Sequence, residues 1–155
     1  MILSGRRILA VLAGLALAWT AVPGVSWGEG TALLPDGHRL TLPAGMEELP
    51  RNPEETGLEA VWALEPDLEM LIFAYDAEGS TARSLAEALR EAGREAQVRE
   101  IGGTEFLAYT DRDETDGALC IGYACVSEGR MIEISFFCGS RAAAEMSREI
   151  MESYQ

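Results

Sequence analysis

The sequence predicts an α+β domain in which a mostly antiparallel β-sheet is sandwiched by two helices. Two segments carry apolar residues at helical spacing, and each follows a residue suited to helix capping. Several strand segments are apolar at successive positions rather than at alternate ones, which predicts strands buried on both faces. Short turns join neighbouring strand segments, so most of the pairing should be antiparallel, with one helix on each face.

A signal peptide is predicted for residues 1–28. Arg6 and Arg7 form a positive n-region, an uncharged apolar run follows, and Pro23 ends any helix before a group of small residues. The candidate cleavage positions follow Gly24, Ser26 and Gly28. The alternative is an uncleaved N-terminal membrane anchor, which ranks second because the apolar run is near the lower limit for spanning a bilayer.

Residues 29–155 are predicted to form a single domain. All 26 acidic residues and ten of the twelve arginines follow Gly28, there is no lysine, and this part has a net charge of −16. The absence of lysine is typical of a G+C-rich bacterial genome. Such a surface repels nucleic acid and anionic lipid. We therefore expect a secreted or extracytoplasmic protein without nucleic-acid partners and without membrane insertion after leader cleavage.

The first strand is predicted at residues 38–42, where polar and apolar residues alternate before Pro43. His38, the single histidine of the chain, follows a Pro-Asp-Gly turn and begins this strand. A histidine in that position is expected to be inert rather than catalytic. Residues 29–37 are interpreted as a linker ending in the turn, and residues 43–57, which are rich in Pro and Glu, as a loop.

The next segments predict a hairpin and a helix. Residues 58–64 and 68–75 flank a Glu-Pro-Asp turn, and the second arm is almost continuously apolar. A helix over 82–92 follows, capped by Ser80 or Thr81. Its apolar stripe is Ala82, Leu85, Ala86 and Leu89.

The remaining chain predicts further strands and a terminal helix. Residues 96–110, interrupted by two glycines, are interpreted as two strands with a tight turn or as one strand with a bulge. A hairpin over 118–138 and a helix after Ser140 complete the order, with Ala143, Met146, Ile150 and Tyr154 as the helix stripe. The layered arrangement requires burial of one marker residue in each of three interior strands: Met70, Ile121 and Phe136.

The three cysteines lie in this last hairpin, and two registers are open. A two-residue turn at Glu128-Gly129 places Cys120 opposite Phe137, and no bridge forms. A shift by one residue places Cys120 opposite Cys138, within reach of a disulfide. Free buried thiols are the alternative to this bridge.

An acidic loop over 111–116 is the best candidate metal site. Asp111, Asp113 and Asp116 supply spaced oxygen ligands, as in weak extracellular calcium sites. However, Gly117 is one position late for an EF-hand loop, and the twelfth position carries glycine rather than glutamate. A solvated hairpin loop is the competing interpretation.

No catalytic residue and no cofactor are predicted. His38 is the one available imidazole base, no G-x-S-x-G sequence occurs, and the cysteines lie in apolar strands, which raise the pKa of a thiol. We expect the protein not to be an enzyme.

The order of these elements resembles the PsbP-like fold family, which includes PsbP and Mog proteins. The resemblance is carried by "LTLPAGMEE" after the leader, a helix after the first hairpin, the late strand "GRMIEISFFC" and the terminal "REIMESY". Small secreted members from Gram-positive bacteria look most similar.

The resemblance implies a non-enzymatic binding or accessory module with an unknown protein or envelope partner. Docking is predicted through sheet-edge or loop surfaces, with the loops 43–57 and 111–116 together as the candidate surface. The alternative from another class is a small extracellular hydrolase or an inhibitor of one.

Overall fold

The computed structural model describes residues 27–112 and 115–155. The strands and helices are β1 Trp27–Leu33, β2 Arg39–Pro43, β3 Glu47–Leu49, β4 Leu58–Leu64, β5 Leu68–Asp76, α1 Ala82–Glu91, β6 Ala96–Ile101, β7 Thr104–Arg112, β8 Leu119–Ser127, β9 Arg130–Cys138 and α2 Arg141–Glu152.

Seven strands form one sheet in the order β3-β4-β5-β9-β8-β7-β6, and every neighbouring pair is antiparallel. The hairpin β1-β2 forms a separate two-stranded sheet. The central strands β5 and β9 are buried on both faces over most of their length, and Met70 and Phe136 are fully buried. The predicted α+β fold, with a mostly antiparallel sheet and two helices, is confirmed.

Helix α1 packs on one face of the sheet, over β6, β7 and β8. This face is here called the α1 face. Its N-cap is Thr81, whose hydroxyl accepts from the backbone N–H of Ser84, while the Ser84 hydroxyl accepts from the backbone N–H of Thr81. This reciprocal pair satisfies two N–H groups that would otherwise lack partners at the start of the helix. All four residues of the predicted apolar stripe are buried.

The opposite face, here called the α2 face, is covered by α2 and the β1-β2 hairpin. Ser140 caps α2 as predicted. The chain after α2 returns to β2, where Arg39 and Gln155 exchange two backbone hydrogen bonds of 2.8 and 3.2 Å. The hydroxyl of Ser153 also accepts from the N–H of Thr41 at 2.8 Å. The β1-β2 hairpin and the residues after α2 therefore belong to the same layer, which covers the α2 face.

Two strands were not predicted. Strand β1 lies partly in the segment interpreted as a linker, and it begins at Trp27, within the predicted leader. Strand β3 lies inside the predicted loop 43–57. Two of its three side chains are exposed and only Leu49 packs against buried residues, so no hydrophobic pattern marks it. Residues 1–26 of the predicted signal peptide lie outside the described residues.

The two glycines after β6 form a tight turn between two strands. Ile101 lies opposite Thr104, and Gly102 and Gly103 have φ values of 57° and 81°. A two-residue hairpin turn of this kind needs positive φ at both central positions. The structure therefore has the first of the two arrangements left open by the sequence.

The turn of the β8-β9 hairpin also has two residues, Glu128 and Gly129, both with positive φ. It places Cys120 opposite Phe137, so the shifted register that would bring Cys120 and Cys138 together is not present. All three cysteines are buried with free thiols. Within the described residues, no helix is long and apolar enough to span a membrane.

Candidate binding groove at the sheet edge

Strand β6 is the last strand of the seven-stranded sheet, and a cavity of about 700 Å³ lies beside it. Its walls come from both faces of the sheet, so the cavity lies around the edge rather than under one helix. We call it the arginine groove. The residues that define it are Arg90, Arg94, Arg99, Tyr123, Arg141 and Arg148.

The groove concentrates positive charge in an acidic protein. It is lined by five of the ten arginines in the described part of the chain, whereas two carboxylates, those of Glu95 and Glu145, reach it. The whole chain has a net charge of −14. A local excess of one sign in a concave site raises the local concentration of the opposite sign. The groove is therefore suited to anionic groups.

The arginines on the α1 side of the groove are already engaged. The Nε of Arg90 donates to the carbonyl oxygen of Ala96 at 2.8 Å. The guanidinium of Arg94 is hydrogen-bonded to the carboxylate of Asp111 and lies 5.8 Å from the centroid of the Tyr109 ring. These two side chains therefore form part of the groove wall, and their charges are less available to a ligand.

The arginines on the α2 side are freer. Arg99 and Arg148 take part in none of the ion pairs found among residues 27–112 and 115–155, and Arg141 makes an exposed pair with Glu145 at 3.4 Å. Exposed pairs of this kind contribute little and exchange readily. Three guanidinium groups are thus available on one side.

Tyr123 is buried beneath these arginines. Burial raises the pKa of Tyr123, and the positive charges of Arg99 and Arg148 oppose this rise, because both lie close enough to favour the phenolate. The floor beside Tyr123 is apolar. It includes Ile121, which is half-buried rather than enclosed as the sequence predicted. The reason is that Ile121 lies on the α2 face where the groove opens, and α2 does not cover it completely.

A buried polar network lies behind the α1 wall of the groove. The hydroxyl of Tyr109 donates to Oε1 of Glu133 at 2.7 Å, and the hydroxyl of Ser135 donates to the same oxygen at 3.2 Å. Glu133 is 2% exposed, and burial raises the pKa of its carboxyl, against the opposing effect of these hydrogen bonds. The network fixes the Tyr109 side chain, and it is closed to solvent.

Neither the groove nor this network was predicted from the sequence. Glu133 interrupts the apolar run of β9, and that interruption is the sequence signal for a buried acid. The groove had a weaker signal, because its arginines are spread over α1, β6 and α2 and meet only in the fold.

The predicted calcium ligands lie at the end of β7 and beyond it. Asp111 is engaged by Arg94, and a carboxylate oxygen of Asp116 accepts from the N–H of Ala118 at 2.9 Å. Asp113 lies outside the described residues. Within the described ranges no group of three or more His, Cys, Asp or Glu side chains is arranged to hold a metal ion. The calcium site stays a prediction.

His38 lies in a separate cluster. Its Nδ1 is 2.9 Å from a carboxylate oxygen of Asp36, and its ring stacks on Tyr154 with centroids 4.5 Å apart. His38 does not line the arginine groove. The half-buried imidazole holds the C-terminal residues against the turn before β2.

The cysteine thiols are poor nucleophiles in this fold. Burial raises the pKa of Cys120 and Cys125 to about 12 and that of Cys138 to about 11. The thiolate is the reactive form of cysteine. Very little thiolate would therefore be present near neutral pH.

No family model matches the chain, and no curated protein matches it. Among solved structures, the chain is similar to the solution structure of cyanobacterial PsbP (CyanoP) from Synechocystis sp. PCC 6803. The TM-score is 0.61 at 13% identity, over 88% of this chain and 95% of that one.

A crystal structure of a protein from Bacteroides thetaiotaomicron has a TM-score of 0.59 at 12% identity. That match covers 81% of this chain and 47% of the other, so this chain spans about half of its length. The protein is thus an α+β domain built on a layered antiparallel sheet. Its fold is PsbP-like, as the resemblance of the sequence predicted.

Proposed function

We propose that the protein is an exported, non-enzymatic binding module that holds a negatively charged partner in the arginine groove. The observation that carries this proposal is the position of Arg99 and Arg148 beside Tyr123, without an ion pair in the described part of a chain of net charge −14.

The side chains favour binding over catalysis. The cysteines are buried with raised pKa values, and His38 is held by Asp36 and Tyr154 away from the groove lining. The buried acid Glu133 is 2% exposed and is bonded to Tyr109 and Ser135. A hydrolase needs a reactive group that touches the substrate in a cleft, and the groove presents guanidinium groups and a phenol ring instead.

The partner is best described as an acidic protein segment. The guanidinium group presents donors in a planar fork that matches a carboxylate, so three arginines suit a short row of carboxylates. The strongly negative remainder of the protein repels a long polyanion such as nucleic acid. A short acidic segment of a protein can reach the groove with less of that repulsion.

The binding proposal can be tested by NMR titration of the ¹⁵N-labelled protein with short poly-L-glutamate, using poly-L-lysine as the opposite charge. We expect glutamate-induced shifts at Arg99, Thr110, Ile121 and Arg148, which vanish when Arg99→Glu and Arg148→Glu are combined. The matched control is Arg39→Glu, an exposed strand arginine outside the groove. Shifts that survive the double charge reversal, or their absence in the wild-type protein, would overturn the proposal.

Export is proposed from the N-terminal pattern alone. The intact chain should be expressed in a bacterial host, and the mass of the protein from medium, envelope and cytoplasm should be measured. We expect a shortened form outside the cytoplasm that begins after Gly24, Ser26 or Gly28. Recovery of the full-length chain with the membranes would instead support the anchor.

A further inference from the structure

The outer edge of β6 has backbone groups that face away from the sheet. Ile101 and Thr104 flank a two-residue turn, so they exchange hydrogen bonds, and bonded residues then alternate along the pair. Gln97 and Arg99 therefore bond to β7, whereas Val98 and Glu100 direct their N–H and C=O groups outward. The Ala96 carbonyl group agrees with this alternation of inward and outward groups, because it points to the outer side and accepts a hydrogen bond from Arg90.

This edge is open to pairing. Within the described residues no strand bonds to the outer side of β6, and β6 contains neither proline nor a bulge. Proteins commonly protect an exposed edge with such features or with charged side chains, and of these β6 has the charges of Arg99 and Glu100. The Arg90 side chain is hydrogen-bonded to one outward carbonyl oxygen, that of Ala96. The outward carbonyl oxygens of Val98 and Glu100 remain accessible.

The two faces beside this edge differ in chemistry. Arg99 projects to the α2 face, where Arg141 and Arg148 of α2 also line the groove. Val98 projects to the α1 face and packs with the apolar cluster under α1. Since side chains alternate along a strand, a strand added to this edge would place every second residue among the free arginines.

We propose that an extended segment of a partner protein adds to β6 as an eighth strand, with acidic residues at alternate positions on the α2 face. This inference rests on the proposed function and specifies the binding mode at the same groove. The opposite positions of the segment would lie beside Val98 and suit small or β-branched residues. Backbone pairing supplies affinity and the arginines select the acidic pattern.

A second copy of this chain fits the edge less well. If two copies of β6 paired about a two-fold axis perpendicular to the sheet, both α2 helices would lie on the same face. The Arg99 and Arg148 side chains of the two copies would then be brought onto that face together, and like charges repel. We therefore infer a different protein as partner.

The test is a fluorescence anisotropy titration with a labelled octapeptide of alternating Glu and Thr residues. We expect binding that weakens at least tenfold when the same residues are arranged in two blocks. Combined Arg99→Glu and Arg148→Glu should weaken it by a similar factor, while Arg39→Glu should leave it unchanged. Dimerisation through β6 in the absence of peptide, measured by light scattering, would overturn the choice of partner.

Backbone methylation separates strand addition from simple charge attraction. One peptide carries N-methyl groups on every Thr and a second carries them on every Glu. An antiparallel added strand tolerates methyl groups on Glu but not on Thr, and a parallel strand shows the reverse, because only one set of N–H groups faces β6. We expect the two peptides to differ at least tenfold in affinity, and equal affinity would overturn the inference.

Val98→Pro provides the matching change on the protein. It removes an outward N–H without removing a bond to β7, and proline is tolerated in edge strands. Binding of the alternating peptide should be lost while the circular dichroism spectrum is kept. If this variant does not fold, the methylated peptides still decide. One further outcome separates the two proposals. If poly-L-glutamate shifts the NMR signals of the groove but the alternating peptide binds no better than the block peptide, strand addition is refuted and the groove proposal is not.

Discussion

The ring of Tyr109 lies against the backbone of Gly122, so that a β-carbon at position 122 would come within 2.0 Å of the Tyr109 Cζ atom. The two residues are direct partners across β7 and β8. A side chain at position 122 would displace the Tyr109 ring, and with it the hydrogen bond to Glu133 and the wall of the groove.

Gly122→Ala should therefore lower the free energy of unfolding by about 1–3 kcal/mol or more, the usual cost of overpacking a core. Urea denaturation followed by circular dichroism measures this change. Gly30→Ala is the matched control, because a β-carbon there would make an ordinary contact of 3.7 Å with Leu42. Equal stability of the two variants would contradict the close contact.

Glu133→Gln should stabilise the protein progressively as the pH rises above about 4.5. Burial raises the pKa of Glu133 above its ordinary value of 4.5, so the folded state retains a proton that the unfolded state releases. The contribution of Glu133 to the stability of the wild-type protein is therefore fully present below pH 4.5 and is lost as the pH rises towards the folded-state pKa. Glutamine keeps an acceptor for Tyr109 and Ser135 without a charge. Thermal unfolding of both proteins from pH 4 to 8 would show a constant difference if this account were incorrect.

Glu133→Ala is expected to behave differently from the glutamine variant. It leaves the hydroxyl groups of Tyr109 and Ser135 without their shared acceptor in a buried site. Each unsatisfied buried group costs about 1–3 kcal/mol. Denaturant titration at pH 5 should show a clear loss of stability for alanine and none for glutamine.

Thr81→Ala should destabilise α1 by about 1 kcal/mol, the typical effect of removing an N-cap side chain. Ser80→Ala is the control, because the capping bonds come from Thr81 rather than Ser80. Chemical denaturation provides the two values. A larger loss for Ser80→Ala would mean that the helix starts one residue earlier.

The three cysteines should resist alkylation in the folded protein and react together after unfolding. They are buried, and their raised pKa values leave little thiolate at pH 7.5. Mass spectrometry after iodoacetamide treatment in 6 M guanidinium without reductant should show three modified thiols. A single modification would reveal a disulfide, and peptide mapping that assigns it to Cys120 and Cys138 would show the shifted register of the hairpin.

Most of the fold follows from local patterns. Leu85 and Leu89 indicate α1 through their helical spacing, and the almost continuously apolar sequence of β5 indicates a strand buried on both faces. For the hairpin at Glu128-Gly129, the sequence allowed two registers that differ by one residue, and only the turn geometry decides between them. Strand β3 was not predicted because two of its three side chains are exposed and only Leu49 packs against buried residues.

The groove could not be predicted in the same way. Arg99 in β6 and Arg148 in α2 are far apart in the chain, and each alone is an ordinary surface arginine. Their proximity to Tyr123 depends on how α2 crosses the sheet. Likewise, the sequence does not indicate that Asp111, a predicted calcium ligand, is hydrogen-bonded to Arg94 in the fold.

The bonds that join β2 to the end of the chain have a consequence for biogenesis. Thr41 and Ser153 are 112 positions apart, so the β1-β2 hairpin cannot form this bond until α2 has been synthesised. Contacts between distant parts of a chain form slowly. If the protein is exported as we propose, this delay would keep the polypeptide unfolded while it passes through a translocation channel.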